Sequence, residues 1–272
     1  MVTCTDCTVS METTLWHISI SHYSEKVRWA LDHKGIPYRP RAPIPGAHMA
    51  VAAWLTRGRH HTFPVIDLDG ERIGDSSEII RALEERRPEP ALYPADPGER
   101  RRALALEDWF DEQLGPYVRR FVFRELLRDH DRFAEVAGQA APRAFELMGP
   151  VGQGVARALI GTRYRAREDA AAERALAKVL AGFDRLEAEL GEGDYLVGEA
   201  FSVADLTAAS LLYPLVLPPE GYLTVARMPE RVERLRRELR GRRGYRWVEE
   251  MFRRHRPSRG HRPRASPRPA TR

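Results

Sequence analysis

The sequence predicts an α+β protein in which a small domain of mixed strands and helices precedes an all-helical domain. Strand-like and helix-like periodicities alternate over 13–87, prolines crowd residues 88–99, and helical periodicity fills most of 100–252. With 272 residues, 43% of them hydrophobic and 31% charged, the chain can bury two such cores. Residues 1–12 and 253–272 are then a disordered leader and a basic disordered tail.

The first strand is predicted over 14–19, where apolar and polar residues alternate. From Ser21 onward the apolar residues follow helical spacing, and Gly35 stands where a glycine commonly ends a helix. Two prolines limit 36–40 to a short extended segment, because each disfavours helical geometry in the residue before it. A strand, a helix and a second strand therefore open the domain.

The rest of the first domain is predicted as a β-hairpin followed by a helix. The hairpin covers 63–73, with Asp69 and Gly70 in a tight turn. Asp75 and Glu78 have the spacing of a capping box before the next helix. The predicted order is βαβ followed by ββα, and a further helix between these halves is left open.

The linker is predicted from its four prolines and one glycine within 87–98, a composition that excludes regular helix and central strand. Beyond it, Ser202 and Asp205 form a second capping box, whose plain interpretation is structural. Helical periodicity covers 104–114, 118–127, 145–160, 171–190, 203–217 and 232–251.

Charge and composition exclude several functional classes. The formal net charge is +5, but 253–272 holds eight arginines and no acid, so the rest of the chain is mildly acidic. A nucleic-acid-binding domain normally has a basic folded face, so no specific nucleic-acid partner is predicted. The longest apolar stretch, 206–217, is too short to cross a bilayer, and no secretory signal is visible. We expect no membrane association and a cytoplasmic location.

The sequence contains only weak evidence for metal ligands. Cys4 and Cys7 could be a redox pair or half of a zinc site, but they precede the first strand and lack a second ligand pair, so we interpret them as part of an uninvolved terminus. His60 and His61 are adjacent, and adjacent side chains on a strand point apart. No metal site is predicted.

Four segments in this order resemble the glutathione S-transferase family. They are 21–31 (SHYSEKVRWAL), 62–66 (TFPVI), 74–80 (GDSSEII) and 195–205 (YLVGEAFSVAD). The resemblance covers about residues 13–252. It implies a thioredoxin-like glutathione-binding domain followed by a helical domain, a homodimer, and glutathione as co-substrate without a tightly bound cofactor.

The resemblance also implies a thiolate-stabilising hydroxyl between the first strand and the first helix. Ser21 matches that position, and Tyr23 and Ser24 are alternatives. The chemistry is physically reasonable, because a free thiol near pKa 8.5 is mostly protonated at neutral pH. A hydroxyl donor at a helix N-terminus favours the anion through its hydrogen bond and the helix dipole.

Further residues match the family's glutathione-binding positions. Phe63 and Pro64 resemble its cis-proline step, which presents backbone groups to the peptide. Asp75 and Ser76 match the pair that holds the γ-glutamyl group, and His61 lies near the position that reaches the glycyl carboxylate.

The expected activity is addition of the glutathione thiolate to a small electrophile. Serine in place of cysteine at the strand–helix junction disfavours reductase chemistry, because no mixed disulfide can form there. The alternatives are a glutathione-dependent isomerase of a small unsaturated acid and a non-catalytic binding or assembly module. The physiological thiol could also be another low-molecular-weight thiol.

Overall fold

A computed structural model describes residues 13–43, 48–140, 146–147, 149–163, 169–223, 225 and 227–256. The predicted architecture is confirmed: a small sheet with helices comes first and a helical domain follows. The first domain comprises β1 (Thr13–Trp16), α1 (His22–His33), β2 (Arg39–Arg41), α2 (His48–Leu55), β3 (Val65–Leu68), β4 (Glu71–Gly74) and α3 (Ser76–Arg86). The helix left open between the second and third strands is therefore present as α2.

The four strands form one sheet in the order β2-β1-β3-β4. β1 pairs with β2 in parallel, whereas the β1–β3 and β3–β4 pairs are antiparallel. Asp69 and Gly70 turn the hairpin with φ of 54° and 91°, the positive values that a tight hairpin turn requires. β1 is shorter than the predicted 14–19, because the chain leaves the sheet after Trp16 to enter the loop before α1.

Alternation along the strands decides which helices cover each face. Leu15 and Ile66 pack with α1 and α3 in the main core. Their neighbours Trp16 and Val65 face the other way and pack against α2. At the end of α1, Gly35 has φ of 61° and its amide bonds to Asp32, so the predicted helix stop is confirmed.

The helical domain follows much of the predicted periodicity, with three differences. Its first helix begins at Pro97, inside the predicted linker, because proline is tolerated in the first turn of a helix, where its missing N–H needs no partner. Residues 130–140 also form a helix that the periodicity did not predict. The predicted stretch 232–251 is two helices, with a break around Gly241, and Phe145 lies outside the described residues. The helices are α4 (Pro97–Gln113), α5 (Gly115–Arg128), α6 (His130–Ala140), α7 (Gly149–Arg163), α8 (Asp169–Leu190), α9 (Val203–Val216), α10 (Glu230–Leu239) and α11 (Arg243–His255).

Helix α9 lies in the same main core, which continues from the first domain into the helical domain, and all of its residues are buried. It is apolar on every side, as a helix surrounded by other helices must be. At its start the Asp205 carboxylate accepts hydrogen bonds from the Ser202 amide, the Ser202 hydroxyl and the Leu196 amide, each at 2.8 Å. The predicted box thus also secures the chain that leads into α9.

The ordered chain extends past the predicted boundary at 252. Helix α11 continues to His255, and Arg256 is 3% exposed. Its guanidinium pairs with Glu25 and Asp32 of α1, so the first residues of the predicted tail belong to the folded body. The leader 1–12 with Cys4 and Cys7, and the tail from 257, lie outside the described residues. No helix in the described part is both long and apolar enough to span a bilayer.

Candidate active site

Sheet register brings three loops to one edge of the first domain. Trp16, at the end of β1, pairs with Val65, at the start of β3, and Val65 pairs with Gly74, at the end of β4. The loop before α1, the loop that precedes β3 and the entry to α3 therefore lie side by side. The residues that the resemblance selects in these three segments are brought to the same edge.

Ser21 is the N-cap residue of α1. Its backbone is extended, with φ −77° and ψ 126°, and its Oγ accepts a hydrogen bond from the Ser24 amide at 3.3 Å. A hydroxyl that accepts a bond still has its own hydrogen to donate, and no acceptor for that hydrogen is found among the described residues. At a helix N-terminus, such a donor is well placed to bind an anion.

The two alternative hydroxyls are engaged elsewhere. Tyr23 donates to the backbone carbonyl of Asp111 at 2.7 Å, and burial, followed by the charge of Asp111, raises the pKa of Tyr23. Ser24 is fully buried, and its Oγ accepts from the Ile18 amide at 3.3 Å. The Tyr23 hydrogen is therefore already used, and Ser24 has no surface that a ligand could contact, which leaves Ser21 as the available donor.

A buried charge network holds the loop in front of Ser21. Arg28 of α1 donates to the Ser19 carbonyl at 3.1 Å and contacts His17 Nδ1 at 2.8 Å. Glu25 binds Arg28 on one oxygen and Arg256 on the other. Burial alone would raise the pKa of Glu25, but the two guanidinium groups outweigh it and hold that pKa below its usual value. The loop is therefore tied to the end of α11.

The cis-proline loop and the entry to α3 form the other side of the site. The Phe63–Pro64 peptide bond is cis, as predicted, and both residues are buried. Asp75 caps α3 by accepting from the amides of Ser77 at 2.9 Å and Glu78 at 3.3 Å. The Glu78 side chain does not complete the predicted box; its carboxylate lies 3.9 Å from the imidazole of His60.

The backbone of Asp75 is unusual. It has φ of 67° and ψ of 134°, a conformation that costs a non-glycine residue free energy. Its side chain stays exposed, whereas Ser76 is 4% exposed. Strain of this kind concentrates where a backbone must present groups to a ligand.

A mostly apolar pocket lies beside Ser21, between the two domains. Ser21, Thr62 and Phe63 line it from the first domain, and α5, α6 and α9 supply the opposite wall. The apolar residues of that wall include Val122, Phe123, Leu126, Val136 and Pro214.

Three basic side chains also line the pocket. They are His22 of α1, His48 of α2 and Arg119 of α5. Burial, followed by the charge of Arg119, holds the pKa of His22 well below its usual range, so its imidazole is neutral. An apolar cleft with the Arg119 guanidinium on its wall suits a small, partly apolar acceptor that carries negative charge.

His61 is less closely integrated into the site. It is exposed, and it does not line the pocket. Its neighbour His60 packs against Gly74, where a Cβ would lie 2.6 Å from the imidazole Cγ, so any larger residue there would displace the imidazole. Within the described ranges, no three histidine, cysteine or acidic side chains are grouped closely enough to hold a metal.

Sequence reasoning missed a buried ion cluster behind the site. The Lys26 ammonium contacts Glu107 at 2.9 Å, Asp111 at 2.5 Å and the Ser77 hydroxyl at 2.9 Å. Ser77 in turn donates to Asp111 at 2.7 Å. The cluster joins α1 and α3 to α4. Sequence reasoning also made no prediction for the pocket residues His22, His48 and Arg119. Of these, only His22 could have been identified locally, from its position next to Ser21.

Two domain profiles match the chain. The glutathione S-transferase N-terminal domain matches residues 15–91, and the glutathione S-transferase C-terminal domain matches residues 169–249. Together they cover more than half of the chain. The segment between them contains α4 to α7, including the α6 wall of the pocket.

Individual relatives match in part. The chain is 40% identical over 97 residues to a maleylacetoacetate isomerase of Rhizobium meliloti (strain 1021), which covers 35% of this chain and 45% of that protein. It is 28% identical over 127 residues to FtsZ-localized protein A of Caulobacter vibrioides, covering 43% and 52%. The chain thus spans about half the length of these curated relatives.

Solved structures show a likeness along most of the chain. A possible glutathione S-transferase from Rhodopseudomonas palustris superposes with a TM-score of 0.61 at 17% identity, covering 94% of this chain and 93% of that one. At such identity the likeness concerns the fold.

Proposed function

The chain belongs to the glutathione S-transferase family, and from that premise we propose that it is a glutathione-dependent enzyme in which Ser21 stabilises the thiolate. The thiolate then adds to a small electrophile held in the adjoining pocket. The observation that carries the proposal is the position of Ser21: it lines the pocket and its hydroxyl hydrogen has no acceptor among the described residues, whereas Tyr23 donates to Asp111 and Ser24 is fully buried.

This arrangement can supply the free energy that is needed to lower the pKa of the thiol. Lowering a thiol pKa by two units takes about 2.7 kcal/mol. A hydrogen bond to a charged group contributes about 1.5–3 kcal/mol, and a helix N-terminus adds about 0.3–1 kcal/mol. Ser21 and α1 together can therefore supply the shift without a metal or a second charge.

The remaining predicted residues would hold the peptide. In this proposal the backbone of Phe63, in its cis bond to Pro64, pairs with the cysteinyl segment. Asp75 meets the γ-glutamyl ammonium, and Ser76 with the first amides of α3 meets the γ-glutamyl carboxylate. His61, which is exposed, would reach the glycyl carboxylate.

A glutathione-dependent isomerase is a specific version of the same chemistry. Reversible addition of the thiolate to an unsaturated acid allows rotation about the former double bond before the thiolate leaves. Two observations favour it: Arg119 lines the pocket, where it can pair with a substrate carboxylate, and one relative is named a maleylacetoacetate isomerase.

A non-catalytic role is the second candidate. The partial match to FtsZ-localized protein A favours a binding or assembly module built on the same fold. In either case we propose a cytoplasmic homodimer. Sedimentation at the mass of a single 31.0 kDa chain would contradict the dimer.

The test begins with glutathione itself. We expect the protein to bind immobilised glutathione and to catalyse thiol conjugation or isomerisation with at least one of a panel of electrophiles and unsaturated acids. Ser21→Ala should lower turnover at least tenfold with little change in glutathione affinity, because the peptide is held by other groups. Tyr23→Phe is the matched control, since it removes the neighbouring hydroxyl and should leave turnover near that of the wild type.

The outcomes separate the candidates. Equal turnover in the wild type and Ser21→Ala would remove Ser21 from the mechanism. Absence of any glutathione binding would favour the assembly module.

A further inference from the structure

The loop before α1 ends in a β-turn that closes at Ser21. The Ser21 amide donates to the Ile18 carbonyl at 3.0 Å, and Ser19 and Ile20 occupy the two central positions of the turn. The Ser21 carbonyl then accepts from the Glu25 amide at 2.9 Å, at the start of α1. The position of the Ser21 hydroxyl therefore depends on where this turn lies against α1.

Arg28 of α1 holds the turn in place. Its Nη2 donates to the Ser19 carbonyl, in the middle of the turn, at 3.1 Å, and its Nη1 contacts His17 Nδ1 at 2.8 Å. The ring of Tyr222 covers the guanidinium, whose central carbon lies 4.1 Å from the ring centroid. Arg28 is buried, so these partners replace water around its charge.

Glu25 sets the direction of the Arg28 side chain. Its Oε2 accepts from Arg28 Nε at 3.0 Å and from Arg28 Nη2 at 2.7 Å. Its Oε1 accepts from Arg256 Nε at 2.8 Å. The side chains of Glu25 and Arg256 have no exposed area, so the Glu25 carboxylate is buried between two guanidinium groups.

Arg256 is itself fixed at the end of α11. Its amide donates to the Phe252 carbonyl, and the Trp29 indole donates to the carbonyl of the preceding His255, both at 2.9 Å. Its Nη1 pairs with Asp32 of α1. The end of α11 is thereby attached to α1 by backbone and side-chain contacts.

Removing the Arg256 guanidinium would leave the buried carboxylates of Glu25 and Asp32 without the cation that they share. Glu25 would then take up a proton or turn toward another donor, because an unpaired buried carboxylate is unfavourable. Either change weakens its hold on Arg28, and through Arg28 the hold on the turn.

We propose that Arg256 is a positioning residue for Ser21: through Glu25 and Arg28 it fixes the turn at 18–21, so that the Ser21 hydroxyl can donate to the glutathione sulfur. The inference rests on the proposed function and extends the site to the end of α11. No proton or electron passes along the ion pairs. A donor that is held in place before the ligand binds loses less entropy when the hydrogen bond forms.

The thiol pKa of bound glutathione tests this inference. It is measured from the ultraviolet absorbance of the thiolate as a function of pH, in the wild type, Arg256→Met and Ser21→Ala. Arg256→Met should raise this pKa by about half a unit, which is about a threefold loss of thiolate below it. Turnover should fall by a similar factor with little change in the KM for glutathione, because other groups hold the peptide.

A double variant and a control separate positioning from stability. In the Ser21→Ala background, Arg256→Met should not change the bound thiol pKa further, because the hydroxyl that it positions is gone. Lys34→Met is the matched control, since it removes another buried cation, which pairs with Glu84 at the opposite end of α1. It should destabilise the protein and leave the bound thiol pKa at the wild-type value.

Arg256→Lys decides the question if Arg256→Met does not fold. It keeps a positive charge beside Glu25 and Asp32, but one ammonium does not reproduce donors on two separate guanidinium nitrogens. The bound thiol pKa should therefore rise by about 0.3 units, a twofold loss of thiolate below it.

The outcomes separate the two proposals. If Ser21→Ala raises the bound thiol pKa and the Arg256 variants do not, Arg256 is not a positioning residue and the role of Ser21 stands. The inference also fails if Lys34→Met raises this pKa as much as Arg256→Met, or if Arg256→Met has the same effect with and without the Ser21 hydroxyl. If the wild type does not bind glutathione, or if Ser21→Ala leaves the thiol pKa unchanged, the proposed function itself fails.

Discussion

Replacing Lys26 by methionine tests the buried cluster that joins the two domains. Lys26 has no exposed side-chain area, and Glu107 is 2% exposed. Burial disfavours the ammonium, but Asp111 and Glu107 outweigh it and raise the pKa of Lys26. The replacement therefore leaves two largely buried carboxylates without their cation.

The expected loss is about 3–5 kcal/mol of unfolding free energy, the usual cost of removing one partner from a buried ion pair. Urea denaturation followed by tryptophan fluorescence and circular dichroism measures it. Lys178→Met is the matched control, because Lys178 is exposed, and it should cost less than about 1 kcal/mol.

A triple variant identifies the cause of the loss. Adding Glu107→Gln and Asp111→Asn to Lys26→Met removes the orphaned charges, so part of the stability should return. If Lys26→Met costs no more than Lys178→Met, the cluster does not stabilise the domain contact and the reasoning is wrong.

Two further predictions concern the loop before α1. Burial, followed by the charge of Arg28, lowers the pKa of His17 to about 3, so the folded protein resists protonation while the unfolded chain accepts a proton below pH 6.5. The stability is present above pH 6.5 and is lost as the pH falls: about 2 kcal/mol by pH 5 for His17, with His22 acting in the same direction. Urea titrations at several pH values should show that the unfolding free energy of His17→Gln depends less on pH than that of the wild type. An unchanged pH dependence would contradict the assignment to His17. Arg256→Met should lower the melting temperature far more than Arg253→Met, whose side chain is 69% exposed, because only Arg256 neutralises buried acids; equal effects would refute this.

Local signals predicted much of the fold. Gly35, the Asp69–Gly70 turn and the Asp75 cap each act within a few residues, and all three appear where the sequence indicates. The cis bond before Pro64 was expected from the family resemblance and is present. The break near Gly241 was missed because the apolar spacing of 232–251 continues through it.

The ion pairs between residues far apart in the chain could not be predicted from local sequence patterns. Arg256 reaches α1 from more than 200 positions away, and no short pattern distinguishes it from the arginines of the tail. The rarity of lysine was the one feature of the sequence that could have indicated the buried cations. The chain has three lysines among many arginines, and Lys26 and Lys34 are both buried, where a compact ammonium has several oxygen acceptors.

The residues that line the pocket could not be predicted from the sequence, because they come from elements far apart in the chain. Arg119 and Val136 lie in the segment between the two matched family domains, and nothing near them indicates that they face Ser21. The residues predicted from the first domain lie at one edge of the sheet because strand register brings their loops together.

A crystal structure of the glutathione complex is the most direct test of the thiolate site. We predict that the sulfur lies within hydrogen-bond distance of Ser21 Oγ, at the N-terminus of α1, with the γ-glutamyl group at Asp75 and Ser76. A tripeptide bound with its sulfur beyond reach of Ser21, or no tripeptide at this edge of the sheet, would contradict the catalytic account.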